Sequence, residues 1–274
     1  MVPTTSIISM FVTLALSLFL PIIFLLILRK GRKGVFGVWV AGALGFIVPQ
    51  LVIRLQILQY FSTMPEFQLF VTANPTLYVT ILALTAALFE TTGRYIVLKF
   101  GLAKELSYMT GLAAGAGHGG IEAITVVGML YINNLVVSFY INANRLTELI
   151  PGDPAMAESI RQSLKDTSAS LFLMAGFERV FAMVFQIALS LLLTWFIVKS
   201  KAVTGFVLVA GLHFLIDFVA SFMQIKGASA VMIEGLLLVV ALMALVLIIR
   251  IKPHFGNSQS IPTDAGEQAV DEGY

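Results

Sequence analysis

Residues 7–28 read IISMFVTLALSLFLPIIFLLIL, and residues 29–33 continue as RKGRK. The apolar run is long enough to cross a hydrocarbon core about 30 Å thick as a helix. It is longer than the core of a signal peptide, and the basic residues follow it instead of preceding it. The sequence therefore predicts a retained first transmembrane helix with a cationic connection at its end.

The whole chain has the composition of a membrane protein. Of its 274 residues, 58% are hydrophobic and 12% are charged, and the mean hydropathy is +0.95. A soluble domain of this size is far less apolar. The absence of cysteine excludes disulfides and thiolate metal sites. We expect an all-α, multi-pass protein of the cell membrane, a bacterial plasma membrane, that contacts lipid and binds no nucleic acid.

Seven apolar runs fill residues 1–252, and each predicts a transmembrane helix because backbone polar groups in lipid must be paired within the segment. The tail at 253–274 is polar and acidic, which predicts a disordered cytoplasmic segment. The predicted spans are 6–28, 35–58, 76–98, 108–132, 169–198, 202–223 and 229–250.

Basic residues predict the orientation of the bundle. They are dense after the first, third, fifth and last runs: Arg29, Lys30, Arg32, Lys33, Lys99, Lys104, Lys199, Lys201, Arg250 and Lys252. The opposite connections are poorer for their length, with Arg54, Arg145, Arg161, Lys165 and Lys226. The positive-inside rule then places the N-terminus outside and the C-terminus in the cytoplasm.

The long connection after the fourth run predicts one more helix. Pro151–Gly152–Asp153–Pro154 is typical of a turn followed by a helix start, with Asp153 as the cap and Pro154 in the first turn. Residues 154–166 then alternate apolar and charged positions at helical spacing. This pattern predicts a short helix on the membrane surface.

Several runs carry ionisable side chains near their middle. A charge at the bilayer centre costs about 2.5–3.5 kcal/mol, so these side chains are expected to face one another or a water-filled cavity. Three pairs are spaced i,i+4 and therefore share a helix face. The pairs are Glu90/Arg94, His118/Glu122 and His213/Asp217, and the fifth run adds Glu178 and Arg179.

The depths of these groups also predict convergence. His118 and His213 each come about ten residues after the basic end of their helix, or roughly 15 Å into the membrane. Glu178 reaches a similar depth from the other end, and Glu90 lies slightly nearer the basic end. Arg179 is interpreted as structural. Glu234, close to the outer interface, is interpreted as a solvated residue or one that is hydrogen-bonded to a loop.

The fourth run also has glycines at four-residue spacing. Gly111, Gly115 and Gly119 form one ridge, with Gly117 and Gly120 alongside. Small residues on a ridge let another helix backbone approach closely. We interpret these glycines as packing residues that place His118 and Glu122 at a tight helix contact.

The buried positions contain more acids than arginines, and this excess of negative charge must be balanced by bound protons or by a shared cation. Either arrangement favours a catalytic role over a purely structural one. A carboxylate beside histidines serves as a general base toward water, and the same residue types also bind metal ions. The structural alternatives are a buried Glu90–Arg94 ion pair that fixes helix register and a His213–Asp217 hydrogen bond without a reactant.

At these residues the chain resembles the YhfC family of predicted intramembrane proteases. The resemblance is carried by Phe89–Arg94, Gly117–Glu122, Phe177–Arg179 and His213–Asp217. That family is a branch of the superfamily of type II CAAX prenyl endopeptidases, bacteriocin-immunity proteases and the multi-spanning subunit of gamma-secretase. The resemblance implies a helical membrane bundle and a peptidase activity.

The superfamily motifs map onto this chain with two departures, and a third position differs from many chains of the YhfC family. Glu90 and Arg94 match the first motif, His118 the second, and His213 with Asp217 the third. Phe89 replaces the first glutamate of the first motif, so the resemblance assigns the base role to Glu90, or to Glu122 or Glu178. Ala114 replaces a phenylalanine, and Gln186 stands where many such chains are expected to have histidine.

The sequence therefore predicts a membrane hydrolase that cuts a membrane-embedded peptide within or near the cytoplasmic half of the bilayer. Glu90 is the favoured base, Arg94 holds it, His118 and His213 polarise the carbonyl, and Asp217 orients His213. No HExxH pattern occurs, so a glutamate-type peptidase without cofactor is favoured over a metal-dependent one. In the metal-dependent version a divalent ion such as zinc would be held by residues among His118, His213 and Glu122.

The second hypothesis is a non-catalytic scaffold, or a solute or proton carrier, that keeps the polar cluster for packing or proton transfer. Inverted repeats and broken helices would favour a carrier, and the sequence shows neither clearly. Geometry discriminates between the hypotheses. A hydrolase requires Glu90, His118 and His213 to meet around one wet cavity.

Overall fold

Residues 1–256 form a helical bundle in the computed structural model, and the description below covers those residues. Seven helices are long and apolar enough to cross a membrane, as predicted, and no β-strand occurs in the described part of the chain. We number them α1 to α7 in chain order. They are Thr4–Arg29, Val35–Ser62, Pro75–Gly101, Tyr108–Asn142, Ala169–Val198, Ala202–Ile225 and Ala230–Phe255.

Helix α4 is longer than predicted and ends at Asn142. Asn133 and Asn134 interrupt the apolar run but not the helix. Beyond them, Leu135 and Ile141 are buried in an apolar cluster together with Val2 and Met10 near the start of the chain. Packing against α1 therefore extends the helix where polarity alone predicted its end.

Three of the long helices contain π-helical segments. These lie at Ile47–Arg54 in α2, Val97–Gly101 in α3 and Ala123–Gly128 in α4. The segment in α2 contains Pro49, which has no N–H to donate to a regular helix. Such wide turns change the direction of the residues that follow and are frequent at functional sites.

Shorter helices occupy the connections. They are Pro65–Ala73, Leu146–Leu149 and Pro154–Asp166. The last of these begins as predicted, because Oδ1 of Asp153 accepts a hydrogen bond of 2.8 Å from the backbone N–H of Met156. Its position on a membrane surface stays a prediction.

The C-terminal end differs in part from the predicted tail. Residues Lys252–Phe255 form a 3-10 helix, and Phe255 is buried against the bundle. The ordered chain thus continues past residue 253, where the tail was expected to begin. The rest of the predicted disordered tail, residues 257–274, lies outside the described residues.

Helix α4 is packed between α2 and α5, and its glycines explain how closely. An added Cβ at Gly117 would collide with the carbonyl oxygen of Trp39 on α2. An added Cβ at Gly115 would lie 2.7 Å from Cα of Ile187 on α5. The glycine ridge at four-residue spacing therefore packs against α5, as predicted, while Gly117 faces the other neighbour.

The connectivity defines two ends of the bundle. The basic end contains the connections after α1, α3 and α5 and the end of α7, where the dense basic residues lie. The opposite end contains the connections after α2, α4 and α6. That the basic end faces the cytoplasm stays a prediction from the positive-inside rule.

Candidate active site

One carboxylate oxygen stands at the centre of the polar cluster. Oε2 of Glu90 on α3 lies 3.1 Å from Nε2 of His118 on α4 and 3.8 Å from Nε2 of His213 on α6. All three residues are buried. The structure thus brings together the three residues on which the functional hypothesis depends.

Gln186 on α5 connects two carboxylates and a guanidinium. Its Nε2 donates a hydrogen bond of 2.7 Å to Oε2 of Glu122 and lies 3.3 Å from Oε2 of Glu90. Its Oε1 accepts a hydrogen bond from the guanidinium of Arg94. Arg94 also lies 3.9 Å from Oε2 of Glu90, as expected of an i,i+4 ion pair.

His213 has a second carboxylate within reach. Its Nε2 lies 3.4 Å from Oδ2 of Asp217, one helical turn away on α6. The other ring nitrogens of His213 and His118 make no hydrogen bond to the described residues. Both histidines therefore direct the same type of nitrogen, Nε2, toward the carboxylates.

Glu178 and Arg179 also belong to the cluster. The guanidinium of Arg179 contacts the carboxylate of Glu178, and its Nη1 lies 3.3 Å from Oε1 of Glu122. Arg179 therefore holds two acids, one of them in direct contact with Gln186. Glu178, expected as a substitute base, is paired with this cation, and its base role stays a prediction.

A cavity of about 370 Å³ opens beside these groups. Of the predicted site residues, it is lined by Glu90, Glu122, Glu178, His213 and Asp217. His118 and Arg94 lie outside the lining and reach the cavity only through Glu90 and Gln186. The geometry required of a hydrolase is met by Glu90 and His213 directly and by His118 through its contact with Glu90.

Arg54 does not lie in a connection, where the sequence predicted it. It lies inside α2, is buried and lines the cavity. Its Nε donates a hydrogen bond of 3.0 Å to Oγ1 of Thr85, and its Nη2 donates one of 2.7 Å to the carbonyl of Leu82. The signal for this residue was a single basic side chain before the end of an apolar run.

Glu234 differs from its predicted solvated state. The residue is half-buried in the first turns of α7. Its Oε2 is shielded from solvent and makes no hydrogen bond to the described residues.

The donor atoms fit a divalent cation. One ligand atom each from Glu90, His118 and Glu122 lies within 4.8 Å of the other two. Ligand atoms of a tetrahedral zinc ion are about 3.3–3.6 Å apart, given bonds of about 2.0–2.2 Å. The 3.1 Å separation of Oε2 in Glu90 from Nε2 in His118 is close to that range. The three candidate metal ligands are thus Glu90, His118 and Glu122, whereas the sequence predicted His213 in place of Glu90.

Comparison with known proteins places these residues in a family. The family model described as YhfC intramembrane metalloprotease matches residues 16–238. The uncharacterized membrane protein YhfC of Bacillus subtilis (strain 168) is 30% identical to this chain over 246 residues, which cover 88% of this chain and 94% of that protein. No solved structure matches the chain.

The family description also bears on the type of chemistry. It names a metalloprotease, so the preference for a glutamate-type peptidase over a metal-dependent one finds no support in it. The three-residue donor group makes a divalent metal plausible at this site. With a family match over most of its length and a relative of matching extent, this chain belongs to the YhfC family of intramembrane metalloproteases.

Proposed function

We propose that this protein is a metal-dependent endopeptidase that cuts membrane-embedded peptides in the cavity beside Glu90. The observation that carries the proposal is the shared Oε2 atom of Glu90 at the wall of that cavity, with imidazole nitrogens of two other helices 3.1 and 3.8 Å from it. Burying such a set of ionisable groups inside a membrane is costly, and it is typical of a reaction or transport site.

Glu90, His118 and Glu122 are the residues that would hold the cation. When bound there, a divalent ion supplies Lewis acidity toward a peptide carbonyl and activates water. Gln186 keeps the two carboxylates side by side, because its amide nitrogen donates toward both. Arg94 holds the amide oxygen of Gln186 and so fixes the orientation of that donor.

His213 and Asp217 are the proposed proton-transfer pair. Both line the cavity, and Nε2 of His213 faces Oδ2 of Asp217 at 3.4 Å. A positioned imidazole moves a proton to or from a reacting group. In this proposal Nε2 of His213 takes up the proton that the attacking water gives up and delivers it to the leaving amine. Asp217, which faces the same nitrogen, orients the ring and stabilises its charged form.

A glutamate-type peptidase uses the same residues differently. Glu90 would then activate water directly, and His118 and His213 would stabilise the oxyanion. Since Glu90 has a role in either version, removing this residue does not separate them. Dependence on added metal does.

The test compares cleavage of membrane-embedded peptides by purified protein in lipid vesicles, together with its metal content by elemental mass spectrometry. The variants are Glu90→Gln, His118→Gln and Glu122→Gln, which keep side-chain size and polarity. The matched control is Glu158→Gln, on the exposed surface helix. We expect the three variants to lose both bound metal and cleavage, and a chelator to inhibit the parent reversibly.

Two other results would redirect the assignment. Full cleavage by metal-free protein would replace the metal-dependent version with the glutamate-type one. Bound metal without cleavage of any peptide would favour the non-catalytic scaffold or carrier.

A further inference from the structure

The cavity beside Glu90 extends along the helices in one direction only. On α6, its lining begins at His213 and continues to Ser221, about four residues before the opposite end of that helix. Helix α3 runs the other way, and its lining begins at Glu90 and continues back to Leu82. On both helices the lining therefore leads from the reactive groups toward the opposite end.

The neighbouring helices repeat this direction. On α2 the lining runs from Phe46 to Arg54, and on α5 it runs from Gln186 back to Glu178. Given the chain direction of each helix, both runs again lead away from the basic end. On all four helices, the cavity lining therefore runs from the reactive groups toward the end opposite the basic connections.

Side-chain exposure increases along the same path. The carboxyl of Glu90 is 6% exposed, and the imidazole of His213 is 4% exposed. Closer to the opposite end, the side chains of Asp217 and Glu178 are 36% and 34% exposed. The cavity-lining acids are therefore more accessible toward the opposite end than at the reactive groups.

The basic half of the bundle is closed. His213 lies about eleven residues, or roughly 17 Å, from the basic end of α6. That distance is filled by a buried apolar cluster that includes Val35, Leu98, Leu191 and Val209, all without exposed surface. A close-packed apolar layer of this depth admits neither water nor a peptide.

We propose that water and the peptide substrate reach the site from the opposite end of the bundle. The preferred substrates are membrane segments whose scissile bond lies in the half of the bilayer away from the basic connections. The part about substrates rests on the proposed endopeptidase function, whereas the side of water access does not. The cytoplasmic half, expected from the sequence as the place of cleavage, is the closed half if the positive-inside rule holds.

Arg54 and Arg179 make part of the cavity wall polar and positively charged. Both guanidiniums line the cavity between the reactive groups and the opposite end. Guanidiniums donate hydrogen bonds and accept none, and here Arg54 donates to Thr85 and Leu82 while Arg179 donates to the carboxylates of Glu122 and Glu178. The wall of the route is therefore polar and charged at these two positions.

Single-cysteine labelling tests the side of access, since the natural chain has no cysteine. The reporter is Ser221→Cys in the cavity wall, treated with a membrane-impermeant maleimide from either side of sealed vesicles. Ser62→Cys marks the opposite end, and Ala103→Cys marks the basic end. Ser190→Cys, a near-isosteric change at a fully buried position facing Gly115, reports on the closed interior.

We expect Ser221→Cys to react from the same side as Ser62→Cys, at a similar rate. Ala103→Cys should react only from the other side, and Ser190→Cys should react only after denaturation. Reaction of Ser221→Cys from the side of Ala103→Cys would overturn the proposal. So would an unreactive Ser221→Cys in vesicles where Ser62→Cys is labelled.

A pair of substrates tests the second part. Both carry the same cleavable sequence in one transmembrane helix, placed in the half near the basic connections or in the other half. We expect faster cleavage when the sequence lies in the half away from the basic connections. Equal or reversed rates would refute the substrate class, whereas no cleavage of either peptide would count against the endopeptidase function and leave the labelling result to decide the access route.

Discussion

The side-chain nitrogen of Gln186 donates a hydrogen bond of 2.7 Å to Oε2 of Glu122, across the contact between α5 and α4. The same amide reaches Glu90 and accepts from Arg94, so one neutral side chain joins two acids and a cation. Glu90 and Arg94 are buried and Glu122 is largely shielded at the cavity wall, and an unpaired polar group costs most in such surroundings.

Replacing Gln186 with leucine is expected to destabilise the bundle. Gln186→Leu removes the partner of Glu122 and of Arg94, and each buried polar group left unpaired costs about 1–3 kcal/mol. The midpoint of thermal unfolding in detergent measures the effect. Gln162→Leu is the control, since Gln162 makes a similar 2.7 Å bond to Asp166 on an exposed helix. Equal midpoints for the two variants would contradict this view of Gln186.

Removing the charge of Arg94 should be more harmful than removing a surface charge. Arg94→Met leaves Glu90 without its ion-pair partner, and breaking a buried pair costs about 3–5 kcal/mol. Arg145→Met, at a side chain that is 61% exposed and paired with Glu148, should change the stability little. Chemical unfolding in mild detergent compares the two, and a similar small loss in both would show that Arg94 is not held as a charged partner.

The close contact of α2 and α4 predicts that a single methyl group is not tolerated. In Gly117→Ala the new Cβ would collide with the carbonyl oxygen of Trp39, which belongs to the backbone and cannot rotate away. Overpacking of this kind costs about 1–3 kcal/mol. Gly211→Ala has no atom within 4 Å of the added carbon and serves as the matched control. Thermal midpoints should separate the two variants.

Asp217 is expected to affect turnover more than binding. Asp217→Asn keeps the size of the side chain but removes the carboxylate that faces His213 at 3.4 Å. Loss of such an orienting partner lowers activity by about 10–100-fold. We expect kcat to fall while KM and the thermal midpoint stay close to the parent values. A change in KM alone would assign Asp217 to substrate binding.

Added zinc should stabilise the metal-free protein. A cation that binds only the folded state contributes about 2.7 kcal/mol at 100 times its Kd. The rise in thermal midpoint should be present in the parent and in Glu158→Gln and absent in Glu122→Gln. A rise of equal size in Glu122→Gln would remove Glu122 from the set of metal ligands.

The sequence predicted the bundle well because its signals are local. Each span is a continuous apolar run, and the lipid environment leaves helix as the only conformation for it. The end of α4 was missed because Leu135 and Ile141 are buried by contacts with α1, which no local pattern reveals. For the same reason the burial of Phe255 could not be predicted from the polar composition around it.

The site was predicted in part, through helix faces and depths. The pairs at i,i+4 placed Glu90, His118 and His213 near one another, and the structure brings them together. The bridging role of Gln186 depends on the rotation of α5 against α3 and α4, which spacing within one helix does not define. Arg54 was missed because it lies in a π-helical segment near the end of an apolar run and so resembled a residue in a connection.

The apolar cluster of the basic half separates the titratable groups of the site from one end of the bundle. Carboxylates and imidazoles deep in a bilayer can pass protons to one another, and an unbroken chain of them would conduct protons across the membrane. Here the titratable groups meet Leu98, Leu191 and Val209 before they reach the other surface. This apolar layer therefore separates the buried acids and imidazoles from the basic end of the described bundle, so the described residues form no continuous chain of titratable groups across it.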